Sequence, residues 1–153
     1  STSRRQRQMC IRDSMKILQF AFDSREESDY LPHNYTHNCV VYTGTHDNDT
    51  VMGWYDTLKG ADKKLCDDYL RLKNADGEPI PREQLPWEFV RAAMSSVADL
   101  AIIPMQDYLG LGSEARINIP STLGINWKWR MGNGDFTKEL AGRIRSMTKL
   151  YGR

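Results

Sequence analysis

The sequence predicts an α/β protein built on a parallel sheet, and three observations predict it. Short apolar runs alternate with helical patterns, and parallel strands need such crossover connections. Each apolar run leads into a polar stretch, and parallel sheets gather their sites at the C-terminal ends of their strands. The length, 153 residues, is that of one domain.

The elements follow in order. Residues 15–22, MKILQFAF, form an apolar run that predicts the first strand. Residues 23–38 are a polar loop with a proline and several turn formers. Residues 39–44, CVVYTG, are β-branched and apolar and predict the second strand. A helix is predicted from Asp49 or Thr50, with Asp49 the better cap because it stands next to the helix start, and Trp54 and Leu58 share its inner face. DKKLCDDYLRLK reads as a short amphipathic helix, followed by a turn at Asp76-Gly77. Pro86 suits the first turn of the next helix and Glu88 its positive end. Phe89 or Val90, Ala93 or Met94, and Val97 give its packed face. LAIIPMQ, residues 100–106, predicts a third strand. Residues 107–135, rich in Gly, Asn, Pro and Trp, read as a long loop, and 136–150 as a closing amphipathic helix. Three strands cannot close a barrel, so barrel material here is only a piece of one.

Composition narrows the function classes. Lys+Arg is 21 and Asp+Glu is 20. The balance is uneven along the chain, with residues 15–127 holding ten basic against seventeen acidic side chains. An acidic middle argues against nucleic acid as partner. The three cysteines, Cys10, Cys39 and Cys66, form no CxxC and fit a reducing compartment. No apolar run approaches the roughly 20 residues that span a bilayer.

The polar stretches carry the candidate chemistry. At the end of the second strand stand His46, Asp47, Asn48 and Asp49. A carboxylate at a sheet mouth can accept from two adjacent sugar hydroxyls or steady a developing positive charge, and an imidazole can donate to a third hydroxyl. The competing reading is a strand-to-helix turn in which Asp47 or Asp49 only caps backbone amides. A metal reading rests on His46-Asp47 and on His33 and His37, but HxxxH shares a face only on a helix, which Pro32, Asn34 and Asn38 oppose. The second cluster is MQDYLGLGSEARINIP, residues 105–120, whose glycines form no phosphate loop and whose plainest reading is a tight turn with Arg116 and Glu114 paired. Trp127 and Trp129 could stack on sugar rings, though packing is the commoner use of tryptophan.

Taken in order, MKILQFAF, YLPHNY, VVYTGTHDNDTVMGWY and VRAAMSSVADLAIIPMQDYLGLGSEARINIPSTLGINWKWRM resemble the amylomaltase, or 4-α-glucanotransferase, family. The resemblance runs from Met15 to about Leu140, and YTGTHDNDT combined with QDYLGLGSEARINIP is its specific part. It implies an α/β fold that is the C-terminal portion, about three strands, of a (β/α)8 TIM barrel. It also implies transfer of α-1,4-glucan segments between maltooligosaccharides by a retaining double displacement, without cofactor or metal. Asp47 matches the family's third carboxylate, which grips ring hydroxyls at the cleavage point. His46 matches a contact to the same sugar, Phe22 a residue near the ring, and Asn118 a substrate-lining loop. The family's nucleophile and acid/base precede Met15 and have no counterpart here. Residues 1–14 do not resemble the family and are read as foreign to the barrel, leaving 15–153 as the barrel part. The expected compartment is the cytoplasm, or the plastid in a plant or alga. The alternative is a half-barrel that binds glucan, or serves as scaffold, without chemistry.

Overall fold

Met15–Ile17 (β1), Val40–Tyr42 (β2) and Leu100–Ile102 (β3) lie side by side in a parallel sheet of order β1-β2-β3. The structure, a computed structural model, describes residues 14–153. The segment 1–14, expected to be foreign to the barrel, therefore lies outside the described residues except for Ser14. The register pairs Met15 with Val40 and Val40 with Leu100, and likewise Ile17 with Tyr42 and Tyr42 with Ile102. Those six side chains share one face, and Lys16, Val41 and Ala101 share the other. Between β2 and β3 the chain forms α1 (Val51–Thr57), α2 (Gly60–Leu70) and α3 (Leu85–Met94), and after β3 come α4 (Met105–Tyr108) and α5 (Lys138–Leu150).

All three strands are shorter than the apolar runs suggested, the second keeping only Val40–Tyr42 of residues 39–44. β1 stops at Ile17 and the chain coils through a 3-10 turn at Leu18–Phe20. Leu18, Ala21 and Phe22 are spaced to fall on one side of that coil, and all three are buried in the main core. β3 stops at Ile102 because Pro104 has no N–H for the ladder. Its carbonyl instead accepts from Asp107 N–H and opens α4.

The helices bury the faces their spacing predicts. Thr50, and not Asp49, caps α1, its side chain accepting from Gly53 N–H at 3.1 Å. Pro86 sits in the first turn of α3, and Glu88 pairs with Arg91 at 2.6 Å. Phe89, Val90, Ala93 and Met94 are buried, but Val97 is exposed because α3 ends three residues before it. Ala93 covers Val41 on one face of the sheet, together with Tyr35, Cys39 and Ala98. Phe22, Trp54 and Phe89 pack as a mutual aromatic cluster with centroids about 6 Å apart. α5, capped by Thr137, lays Leu140, Ile144 and Met147 on Trp87, Val90 and Met94 of α3. Among the described residues no helix is long and apolar enough to cross a membrane.

The opposite face of the sheet is open. Leu100 and Ile102 are 53% and 42% exposed although both belong to a strand. Ile17, Tyr42 and Ile102 form the floor of a hollow that continues past the C-terminal ends of the strands.

Candidate functional site

The hollow has a volume of about 1090 Å³ and is walled by the segments that leave the three strands. Gln19 and Phe20 come from the turn after β1, and Gly44 to Asp49 from the turn after β2. Pro104 to Gln106 come from the segment after β3, and Arg116, Ile117, Pro120 and Ser121 from the long loop. That volume accommodates more than one sugar ring. It is where a parallel sheet is expected to bind its ligand.

The turn that carries His46 and Asp47 is held from several sides. Asn48 Oδ1 accepts from Thr45 N–H and Thr45 Oγ1–H at 2.9 and 2.8 Å. Gln19 Nε2 donates to the Asp49 carbonyl at 2.8 Å, and Arg116 Nη2 to the Asp47 carbonyl at 2.7 Å. A Cβ on Gly44 would stand 2.5 Å from Gln19 Nε2, so only glycine admits the bracing glutamine. Asp49 spends both oxygens on structure, Oδ1 accepting from Thr50 N–H and Oδ2 from Ser113 Oγ–H. Asp107, fully buried, accepts from Thr43 Oγ1–H and from Val51 N–H. Burial away from water pushes its carboxyl up to about 6, and the two hydrogen bonds oppose that rise.

Asp47 differs from its neighbours. Its side chain is 40% exposed at the rim of the hollow. Oδ1 accepts from Asn118 Nδ2 at 2.7 Å and lies 3.4 Å from His46 Nε2. Oδ2 has no donor among the described residues. Asn118 thus joins Asp47 and His46, although 71 residues separate it from Asp47. His46 stacks against Trp127, with ring centroids 5.1 Å apart, and Trp127 is more than half exposed. The packing expected of Trp127 is therefore not what it does, because its loop crosses the surface and presents the indole beside the imidazole.

Phe22 does not join the site. It is 4% exposed and packs among Trp54, Tyr69 and Phe89. The coil after β1 turns it inward and turns Phe20 toward the hollow instead. Arg116 and Glu114, expected as a pair, also part company. Glu114 accepts from Gly112 N–H within its own turn, while Arg116 reaches the Asp47 and Asn118 carbonyls. Gln19 and Arg116 are the bracing residues that sequence reasoning missed as site residues. A polar residue inside the apolar run MKILQFAF was the available signal for Gln19.

The histidines of the HxxxH pattern do not share a helical face. His33 lies in a 3-10 turn, where its Nδ1 is 3.0 Å from the Tyr69 hydroxyl, and His37 lies in a loop. Cys39 and Cys66 are buried free thiols, and burial raises the pKa of both.

Comparison with known proteins points the same way. The sequence model described as 4-alpha-glucanotransferase matches residues 3–135. A 4-alpha-glucanotransferase of Clostridium butyricum is 49% identical over 140 residues, which cover 91% of this chain and 27% of that protein. The chloroplastic/amyloplastic 4-alpha-glucanotransferase of Solanum tuberosum is 48% identical over 142 residues, covering 91% of this chain and 23% of its own. The solved structure of amylomaltase from Streptococcus agalactiae in complex with acarbose matches with a TM-score of 0.79 at 34% identity, over 97% of this chain and 30% of that one. The chain spans about a quarter of the length of the curated relatives it matches. With its polar strand-end turn and most of its length inside these matches, this chain belongs to the 4-alpha-glucanotransferase family.

Proposed function

We propose that this chain is the sugar-gripping part of a retaining 4-α-glucanotransferase and that its sheet forms the last three strands of a (β/α)8 barrel. The single observation that carries this reading is that Asp47, on a braced turn at the rim of a hollow of about 1090 Å³, keeps Oδ2 without a donor among the described residues. A carboxylate in that position accepts from hydroxyls of the glucose ring at the cleavage point. Asn118 sets its orientation, and His46 contacts the same sugar beside the exposed Trp127. The substrates are α-1,4-glucans and maltooligosaccharides, and acarbose, a ligand of the related amylomaltase, is a fitting probe. The compartment is the cytoplasm or, in a plant or alga, the plastid, as for the Solanum tuberosum relative.

A retaining site needs two carboxyl groups about 5 Å apart, one as nucleophile and one as acid/base. Of the carboxylates that line the hollow among the described residues, Asp49 is consumed by Ser113 and Thr50, which leaves Asp47 alone. The nucleophile and acid/base therefore belong to the part of the protein that the longer relatives have and this chain does not match. The test is glucose release from maltotriose by the full-length protein and by Asp47→Asn. Turnover should fall by at least about tenfold, the cost of one lost charge-assisted hydrogen bond. Equal turnover in the two proteins contradicts the assignment. A wild type that binds maltotriose without turnover supports the alternative, a glucan-binding half-barrel.

A further inference from the structure

We propose that Asp107 is a positioning residue for Asp47, a two-pronged brace that fixes both ends of the turn carrying it. The inference rests on the sugar-gripping role just given to Asp47. Thr43 is the residue after β2 and Val51 is the first residue of α1, and the seven residues between them include His46 and Asp47. One carboxylate holds both ends, Oδ2 accepting from Thr43 Oγ1–H at 2.5 Å and Oδ1 from Val51 N–H at 2.8 Å. Asp107 belongs to α4, which follows β3, so a single side chain ties the exit of one strand to the exit of the next. The group is 1% exposed, and no cation lies within ion-pair distance of it among the described residues. The nearby carboxylate of Asp49 adds repulsion. A buried carboxylate in that setting is costly to hold, and an apolar side chain would fill the space more cheaply. What an apolar side chain cannot do is receive two donors that fix a loop. Gln19, Asn48, Arg116 and the Asp49–Ser113 pair brace residues 45–50, and Asp107 is the brace that joins Thr43 before the turn to Val51 after it.

The test compares Asp107→Ala, Asp107→Asn and Thr43→Val in the full-length protein, well below each variant's melting temperature. Asp107→Ala should lower kcat/KM for maltotriose by about a hundredfold, the effect of an ångström-scale misplacement. Asp107→Asn should restore most of it, because the amide oxygen still accepts from Val51 N–H and the amide N–H can meet a reversed Thr43 hydroxyl. Thr43→Val, which keeps the shape and removes one prong, should fall between. A readout free of substrate is the NMR resonance of the Asn118 side-chain amide, whose Nδ2 bonds Asp47 Oδ1. It should move in Asp107→Ala and return in Asp107→Asn. A lowered melting temperature with unchanged kcat/KM and an unmoved Asn118 resonance overturns the proposal. A wild type that neither binds nor turns over glucan refutes the sugar-gripping reading, and the Asn118 resonance still decides whether Asp107 positions Asp47.

Discussion

The side chain of Asp47 and that of Asp107, two aspartates on neighbouring segments, have opposite fates. Asp47 lines the hollow with one oxygen free of any donor among the described residues, whereas Asp107 gives both oxygens to the protein interior. Burial raises the Asp107 pKa from 3.8 to about 6, so the folded state favours the neutral acid. Its stabilising contribution is therefore full below pH 3.8 and is lost as pH rises through about 6, a change of about 3 kcal/mol at most. Thr43, the Val51 amide and the Asp49 carboxylate are the groups that face it. Asp107→Asn removes the titration. Melting temperatures measured from pH 4 to pH 8 should show the wild type losing stability relative to this variant as pH rises. A constant difference across that range contradicts the buried, ionised carboxylate.

At the scale of elements, the turn after β2 and the start of α1 work as one unit. Gly53 lies in the first turn of α1, where a Cβ would collide with Ser113 Oγ and stand 2.7 Å from Asp49 Oδ1. Gly53→Ala should therefore destabilise the fold by about 1–3 kcal/mol despite the better helix propensity of alanine. Chemical denaturation measures this, and a stabilised variant would show that Ser113 and Asp49 do not clasp there. Three strands in parallel order, and every helix but the short one at Met105–Tyr108, were legible in the sequence because apolar period and turn chemistry are local. The ends of β1 and β3 were less so. Leu18, Ala21 and Phe22 are as apolar as a strand, and only the tertiary core decides that they coil inward. Phe22, placed near the ring by the family resemblance, packs in that core, and Phe20 lines the hollow. His46 and Asp47 stood out as polar residues at a strand end and Asn118 only through the family resemblance, and the hydrogen bond that joins Asn118 to Asp47 spans 71 residues and leaves no local trace. Arg116 was misassigned because Glu114, two residues away, offered a nearer partner than the distant carbonyls it reaches.

On the whole-molecule scale, the sheet is covered on one face and exposed along β3 on the other. Leu100 and Ile102, both exposed, lie on the face that the remaining strands would cover in the barrel proposed above. Edge strands and bare apolar faces favour association. The 153-residue chain on its own should bind a hydrophobic dye, self-associate in sedimentation, and release no glucose from maltotriose. A monodisperse chain with transferase turnover would refute the division of labour proposed above. The central claim is that Asp47 grips a sugar in the hollow at the strand ends, and calorimetric titration of maltooligosaccharide into the full-length protein and into Asp47→Asn tests it most directly. The account predicts binding by the wild type and an affinity about 10- to 100-fold weaker in the variant, the equivalent of one charge-assisted hydrogen bond. Identical affinities in the two proteins would contradict it.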